Sequence, residues 1–118
     1  MNNWKDLIVW RKAHEMVIKI YNVTKFYPPE EAYRLVDQIC RSASSVPANI
    51  VEGQSRDTTK DYLKFLYNAR GSLEETRYHL LLSRDLGYLN VETYNDLERG
   101  FKEVSLMLNS LIKSLKGK

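Results

Sequence analysis

Arg41-Ser42-Ala43-Ser44-Ser45-Val46-Pro47-Ala48-Asn49-Ile50-Val51-Glu52-Gly53 is the stretch on which the fold turns. Apolar residues at Leu35, Ile39, Ala43 and Ile50 recur at helical spacing on both sides of Pro47. A proline inside a helix removes one backbone donor and presses its ring against the carbonyl four residues back, here that of Ala43. The cost is about 3 kcal/mol, and a helix that carries such a residue kinks there. Ser42, Ala43, Ser44, Ser45 and Ala48 are small enough for a second helix to come close. Their hydroxyls can bond back to carbonyls one turn earlier, where Pro47 leaves one free. Asn49 and Glu52 follow, and Gly53 offers a left-handed C-terminal cap. The leading reading is a kinked, tightly packed core helix. The other is a polar pocket around Asn49 and Glu52.

Upstream, residues from about Trp4 to Phe26 predict helix 1. Its main face is Leu7, Trp10, Ala13, His14, Val17, Ile20, Tyr21 and Thr24. Val9, Met16 and Val23 widen that face to about 200°, against about 100° for an ordinary surface helix. One bundle neighbour cannot cover so wide a face, which predicts an oligomer. Pro28 and Pro29 end helix 1, and Pro29 suits the first turn of helix 2. Helix 2 is expected from about Glu30 to Glu52, with Glu30 and Glu31 placed for its dipole.

Downstream, Thr58 with Asp61 resembles a capping box and opens helix 3. Tyr62, Leu66, Ala69, Leu73, Thr76 and Leu80 alternate steps of four and three, the seam of an antiparallel bundle. Gly71 costs about 1 kcal/mol of helix propensity, which predicts close approach by the small patch on helix 2. Leu86-Gly87-Tyr88-Leu89 reads as a glycine stop. Asn90 caps helix 4, where Tyr94, Leu97, Phe101, Val104, Leu108, Leu111 and Leu115 keep the heptad. Leu106, Met107 and Ile112 add a second apolar edge. Short connections and the lack of strand alternation predict an all-α, antiparallel up-down-up-down four-helix bundle with a Pro-kinked second helix, one domain over residues 1–118.

The 118 residues suffice for a core without staples. Cys40 is the one cysteine and reads as a small core residue in a reducing compartment. The start, Met1-Asn2-Asn3-Trp4-Lys5-Asp6, predicts no secretory signal, and no apolar run approaches the ~18 residues of a membrane span. A cytoplasmic protein is expected. A net charge of +3 permits an anionic partner without demanding one.

Catalytic signatures are missing. His14 lies on the apolar face of helix 1, and His79 follows Glu75 by four residues, a common surface pair. Bundles hold metals through repeated Glu-x-x-His pairs, and the chain has none. No phosphate loop, dinucleotide fingerprint or nucleophile elbow is present. The chain is read as no enzyme, with no cofactor and no metal. A small enzyme using Asn49 and Glu52 stays only as a remote third reading, because nothing orients them as a base.

The cations are ordered. Arg70, Arg77 and Arg84 fall at seven-residue steps and line one edge of helix 3 over roughly 20 Å. Lys5, Lys12 and Lys19 repeat the step on helix 1. Such a row can follow a nucleic-acid backbone and release its counterions. The competing reading is a solvated bundle face, with Glu74 placed to pair with Arg70 and Arg77.

The whole pattern resembles the four-helix-bundle family of proteins encoded in intervening sequences of bacterial large-subunit ribosomal RNA genes, a family that includes the accessory variability determinant of diversity-generating retroelements. The resemblance rests on Trp4-Lys5-Asp6-Leu7-Ile8-Val9-Trp10-Arg11-Lys12-Ala13, where the family has Phe before Leu-x-Val-Trp. It continues through Gln38 to Ala43, the central Ser45-Val46-Pro47-Ala48-Asn49-Ile50-Val51-Glu52-Gly53, Ala69-Arg70-Gly71-Ser72-Leu73-Glu74-Glu75 and Leu86-Gly87-Tyr88-Leu89. It implies a homopentamer, no known catalysis and, in the retroelement branch, nucleic-acid binding beside a reverse transcriptase. The ribosomal branch has no settled role, and the central motif does not choose between branches.

The expected function is therefore a non-enzymatic, oligomeric nucleic-acid-binding accessory protein, with RNA favoured over DNA and a reverse transcriptase as candidate partner. Arg70, Arg77 and Arg84 would be the principal phosphate contacts, with Lys12 and Lys19 in support. Ser45, Pro47, Asn49, Glu52 and Gly53 form the structural motif. The alternative is an oligomeric protein-interaction scaffold that binds no nucleic acid.

Overall fold

Four helices account for most of the chain in a computed structural model, which describes residues 3–117. They are α1 (Ile8–Thr24), α2 (Leu35–Gln54), α3 (Thr59–Asp85) and α4 (Val91–Lys116). Each packs on its two neighbours around one core, α1 closing the ring against α4. Cross-helix contacts fix the antiparallel register. Thr24 meets Cys40, Ser45 meets Ser72, and Arg70 meets Asn109. Fully buried Ile20, Ile39, Ile50, Leu73 and Phe101 fill the centre, each stabilising by about 1.5–3 kcal/mol.

The predicted caps of α3 and α4 are present. Thr58 accepts from the Asp61 backbone N–H at 3.1 Å, and Asn90 from that of Thr93 at 2.7 Å. Gly87 has φ +82°, and the Tyr88 N–H reaches the Ser83 carbonyl at 2.9 Å, a Schellman stop for α3.

Both early boundaries differ from expectation. Helix 1 does not start at Trp4. Trp4–Asp6 forms a separate 3-10 turn capped by Asn3, and Leu7 is extended (φ −73°, ψ 125°). That break folds Trp4 back to an edge contact with Trp10, centroids 4.8 Å apart. Helix 2 does not start at Glu30. Pro29–Glu31 is its own 3-10 turn, and Arg34 (φ −119°, ψ −101°) interrupts the path. Glu31 is buried, accepting from the Tyr88 hydroxyl at 2.6 Å and from Arg34 at 3.1 Å. Tyr88 first, then Arg34, hold its carboxyl below the usual range.

The glycines also trade roles. Gly53 is not a left-handed cap, because α2 runs on to Gln54 and Gly87 is the residue with positive φ. A Cβ at Gly53 would lie 2.9 Å from the Phe65 Cβ and 3.0 Å from the Tyr62 ring, so Gly53 is a point of close approach between α2 and α3. Gly71 is exposed, with nothing beyond its own turn of helix within 4 Å of a Cβ built there. Ser72 takes the place foreseen for it, meeting Ser45 at 2.9 Å. Gly100 makes a further close approach, since a Cβ there would collide with the Met16 sulfur.

α2 passes through Pro47 as one helix. Its serines bond both back and across: Ser42 and Ser44 donate to the Ile39 and Arg41 carbonyls at 3.2 Å, as expected, and Ser45 meets Ser72. The Thr76 hydroxyl lies 2.8 Å from both the Ser42 Oγ and the Ser72 carbonyl. Of the wide apolar face of α1, Val9, Ala13, Met16, Val17, Ile20 and Thr24 are buried in the bundle, while His14 and Tyr21 are exposed. On α4, Ile112 is buried, Leu111 and Leu115 are half-buried, and Leu106 stays in solvent.

Candidate nucleic-acid interface

Arg70, Arg77 and Arg84 share the edge of α3 that borders α4, as heptad spacing requires. Their surroundings differ. Arg77 donates through Nε to Glu98 at 2.7 Å and through Nη1 to Glu74 at 3.1 Å. Those carboxylates, Glu98 foremost, raise its pKa and neutralise it locally. Arg84 pairs with Asp85 at 3.0 Å and lies over the Tyr94 ring at 4.8 Å. Among the described residues Arg70 makes no ion pair. It donates to Asn109 at 3.2 Å and sits 5.0 Å from the centre of the Tyr67 ring.

The α1 cations lie elsewhere. Lys12 bonds Glu15 at 2.8 Å and approaches Glu103 of α4 at 3.6 Å. The Glu15 hydrogen bond, chiefly, raises its pKa. Lys19 is exposed and has no carboxylate at ion-pair distance. Lys12 meets one flank of α4 and the arginine row meets the other. The structure thus brings the arginines together and sets Lys12 and Lys19 across the width of α4.

A different group stands out among the described residues. Lys60, Lys64, Arg70, Lys113 and Lys116 have no carboxylate within ion-pair reach. Two contacts set the α3–α4 register, Arg77 with Glu98 and Arg70 with Asn109. Carried along, that register puts Lys60 within about a turn of Lys116 and Lys64 at the height of Lys113, with Lys64 on the outer face of α3, about 120° round from Arg70. Past Glu103, α4 carries no acid, and residues 59–73 of α3 carry only Asp61. The edge is therefore split. Near the start of α3 the border and the outer face beside it are basic and uncompensated, and Glu74, Arg77 and Glu98 fence them from the rest. The approach of Lys113 and Lys116 to Lys60 and Lys64 depends on helix pairing.

The polar side chains of the central motif are engaged locally. Asn49 donates to the Ser45 carbonyl at 2.8 Å and to its hydroxyl at 2.9 Å. Glu52 is exposed and pairs with Arg56 at 3.2 Å. The two are separately engaged and build no joint acid–base site. His79 is buried and contacts the exposed Glu75 at 3.3 Å. Among the described residues no cluster of three His, Cys, Asp or Glu is placed to hold a metal. No helix among them is long and apolar enough to cross a membrane.

Residues 5–110 match the model of the family described as 23S rRNA-intervening sequence protein. The chain belongs to that family. A crystal structure from Bacteroides thetaiotaomicron VPI-5482, described as a protein with unknown function from the S23 ribosomal protein family, shares 31% identity. The match covers 90% of this chain and 99% of that one, with a TM-score of 0.84. No curated protein matches. The four-helix architecture is thus common to this chain and its solved family relative.

Proposed function

We propose that this chain is a non-enzymatic nucleic-acid-binding accessory protein that works as an oligomer, with RNA as the preferred ligand. The observation that carries the reading is the uncompensated basic surface of Lys60, Lys64, Arg70, Lys113 and Lys116, which spans the α3–α4 border and the outer face of α3 beside it. Cations already paired with carboxylates gain little from a phosphate, because an existing partner must be given up. Cations free of such partners release condensed counterions on binding, which is the main source of affinity for a nucleic-acid backbone. Arg70 is therefore the principal contact of the predicted row. Arg77 and Arg84 bound the site, and Lys19 extends it only on the far side of α4.

The family's link to ribosomal RNA genes supports RNA over DNA. The resemblance to the retroelement determinant supports a reverse transcriptase as protein partner and five as the oligomer number. Exposed Ile8, Ile18 and Tyr21 on α1 support self-association, since such surface gains from being covered. That apolar face also favours the alternative, an oligomeric scaffold that docks a protein and binds no nucleic acid.

The test is binding of structured RNA and duplex DNA across a salt series. The wild type is expected to lose affinity steeply with salt. Replacing Lys64, Arg70 and Lys113 by glutamate should abolish binding while leaving helicity and oligomer size unchanged. Unchanged affinity in that variant, or no binding even at low salt, rejects the reading in favour of the scaffold.

A further inference from the structure

Gly71 lacks both of the usual reasons for a glycine inside a helix. Its φ is not positive, and beyond its own turn of helix no heavy atom lies within 4 Å of a Cβ built there. It sits thirteen positions into α3, where glycine weakens the helix. The bare backbone faces solvent, so the open space above it is the property that distinguishes the site.

Its neighbours on that face are specific. Tyr67 lies four residues before Gly71 and Lys64 seven before, so all three project from successive turns of one side. Tyr67 is 38% exposed, and the Arg70 guanidinium rests beside its ring at 5.0 Å. A cation over an aromatic face holds the ring in place. An oriented, exposed ring beside carboxylate-free cations is the combination that single-strand binders use, with bases stacking on the ring and the backbone following the charge. A duplex cannot use it, because its bases are already stacked on one another.

We propose that the ligand of the basic surface is a single-stranded nucleic acid, with one base stacked on Tyr67 and the adjoining sugar-phosphate lying over the bare backbone at Gly71. This rests on the nucleic-acid reading above and adds the strand state. The charge selects this occupant over a protein helix: Lys64, Arg70 and Lys113 meet no carboxylate, and an apolar partner would have to desolvate them. Gly71 serves as clearance, since any larger side chain would fill the space the backbone enters.

The experiment uses the full chain with a fluorescent single-stranded oligonucleotide and the same sequence as a duplex, at matched salt. The single strand should bind at least about tenfold more tightly. Tyr67→Ala should remove most of that preference, also about tenfold, while Tyr67→Phe keeps it. Gly71→Gln should raise the melting temperature, as a better helix former, yet weaken single-strand binding several-fold. A merely structural glycine would not give opposite signs. Equal, salt-sensitive binding of both strand states overturns the single-strand inference and leaves the basic-surface reading standing. Unchanged affinity in Tyr67→Ala overturns it as well. Binding of neither form, at any salt, removes both.

Discussion

The two flanks of α3 are built from different materials. Toward α2 the contact is close and uncharged. Gly53 sits against Phe65 and Tyr62, Ser45 meets Ser72 at 2.9 Å, and Ser42 meets Thr76 at 2.8 Å. Toward α4 the border is made of long charged side chains, Arg70 with Asn109 and Arg77 with Glu98. Small residues let backbones approach and leave nothing for a ligand to touch. Long ones keep their charged ends in water while their stems cover the core. One helix thus spends one flank on the fold and offers the other to solvent. Within the second flank the contrast repeats, because Arg70 and Arg77 are one heptad apart and only Arg77 is neutralised.

That contrast can be broken by substitution. Gly53→Leu should have the largest effect, near the top of the roughly 1–3 kcal/mol expected for overpacking a close contact. Denaturant melts would measure it, and a neutral result would mean that α2 and α3 are not held as closely as 2.9 Å implies. Thr76→Val keeps the shape and removes a fully buried hydroxyl. It should cost about 1–2 kcal/mol, because Ser42 and the Ser72 carbonyl lose a partner. Arg77→Ala should cost about 1 kcal/mol or less, since its pair with Glu98 is partly exposed and screened. Arg70→Ala should be smallest of all in stability, about 0.5 kcal/mol or less. The same variant should flatten the salt slope of nucleic-acid binding by about one. Arg77→Ala flattening it equally would show that ion pairing does not separate the two arginines.

The motif regions differ in a related way. The Ser45–Gly53 motif reads in sequence as either packing or pocket, and its side chains are taken up by packing and by local bonds. Gly53 and Gly71 show why this was half legible. Both announce that something unusual happens to a helix backbone. Whether the cause is a neighbour, a cap or an empty surface depends on what stands opposite, and a single chain's pattern holds no record of that.

Sequence alone determined the helix count, the seams of α3 and α4, both N-caps and the Gly87 stop, because these rest on periodicity and on bonds within a few residues. It also determined that the arginines share an edge, since seven-residue spacing sets the side of a helix. It misplaced the starts of α1 and α2, where Asn3 caps an early turn and buried Glu31 is drawn to Tyr88, fifty-seven residues away. Tertiary structure alone decided which cations are neutralised, which glycine is packed, and that Lys64 comes level with Lys113. Charge compensation and clearance are relations between helices, and only the paired register supplies them.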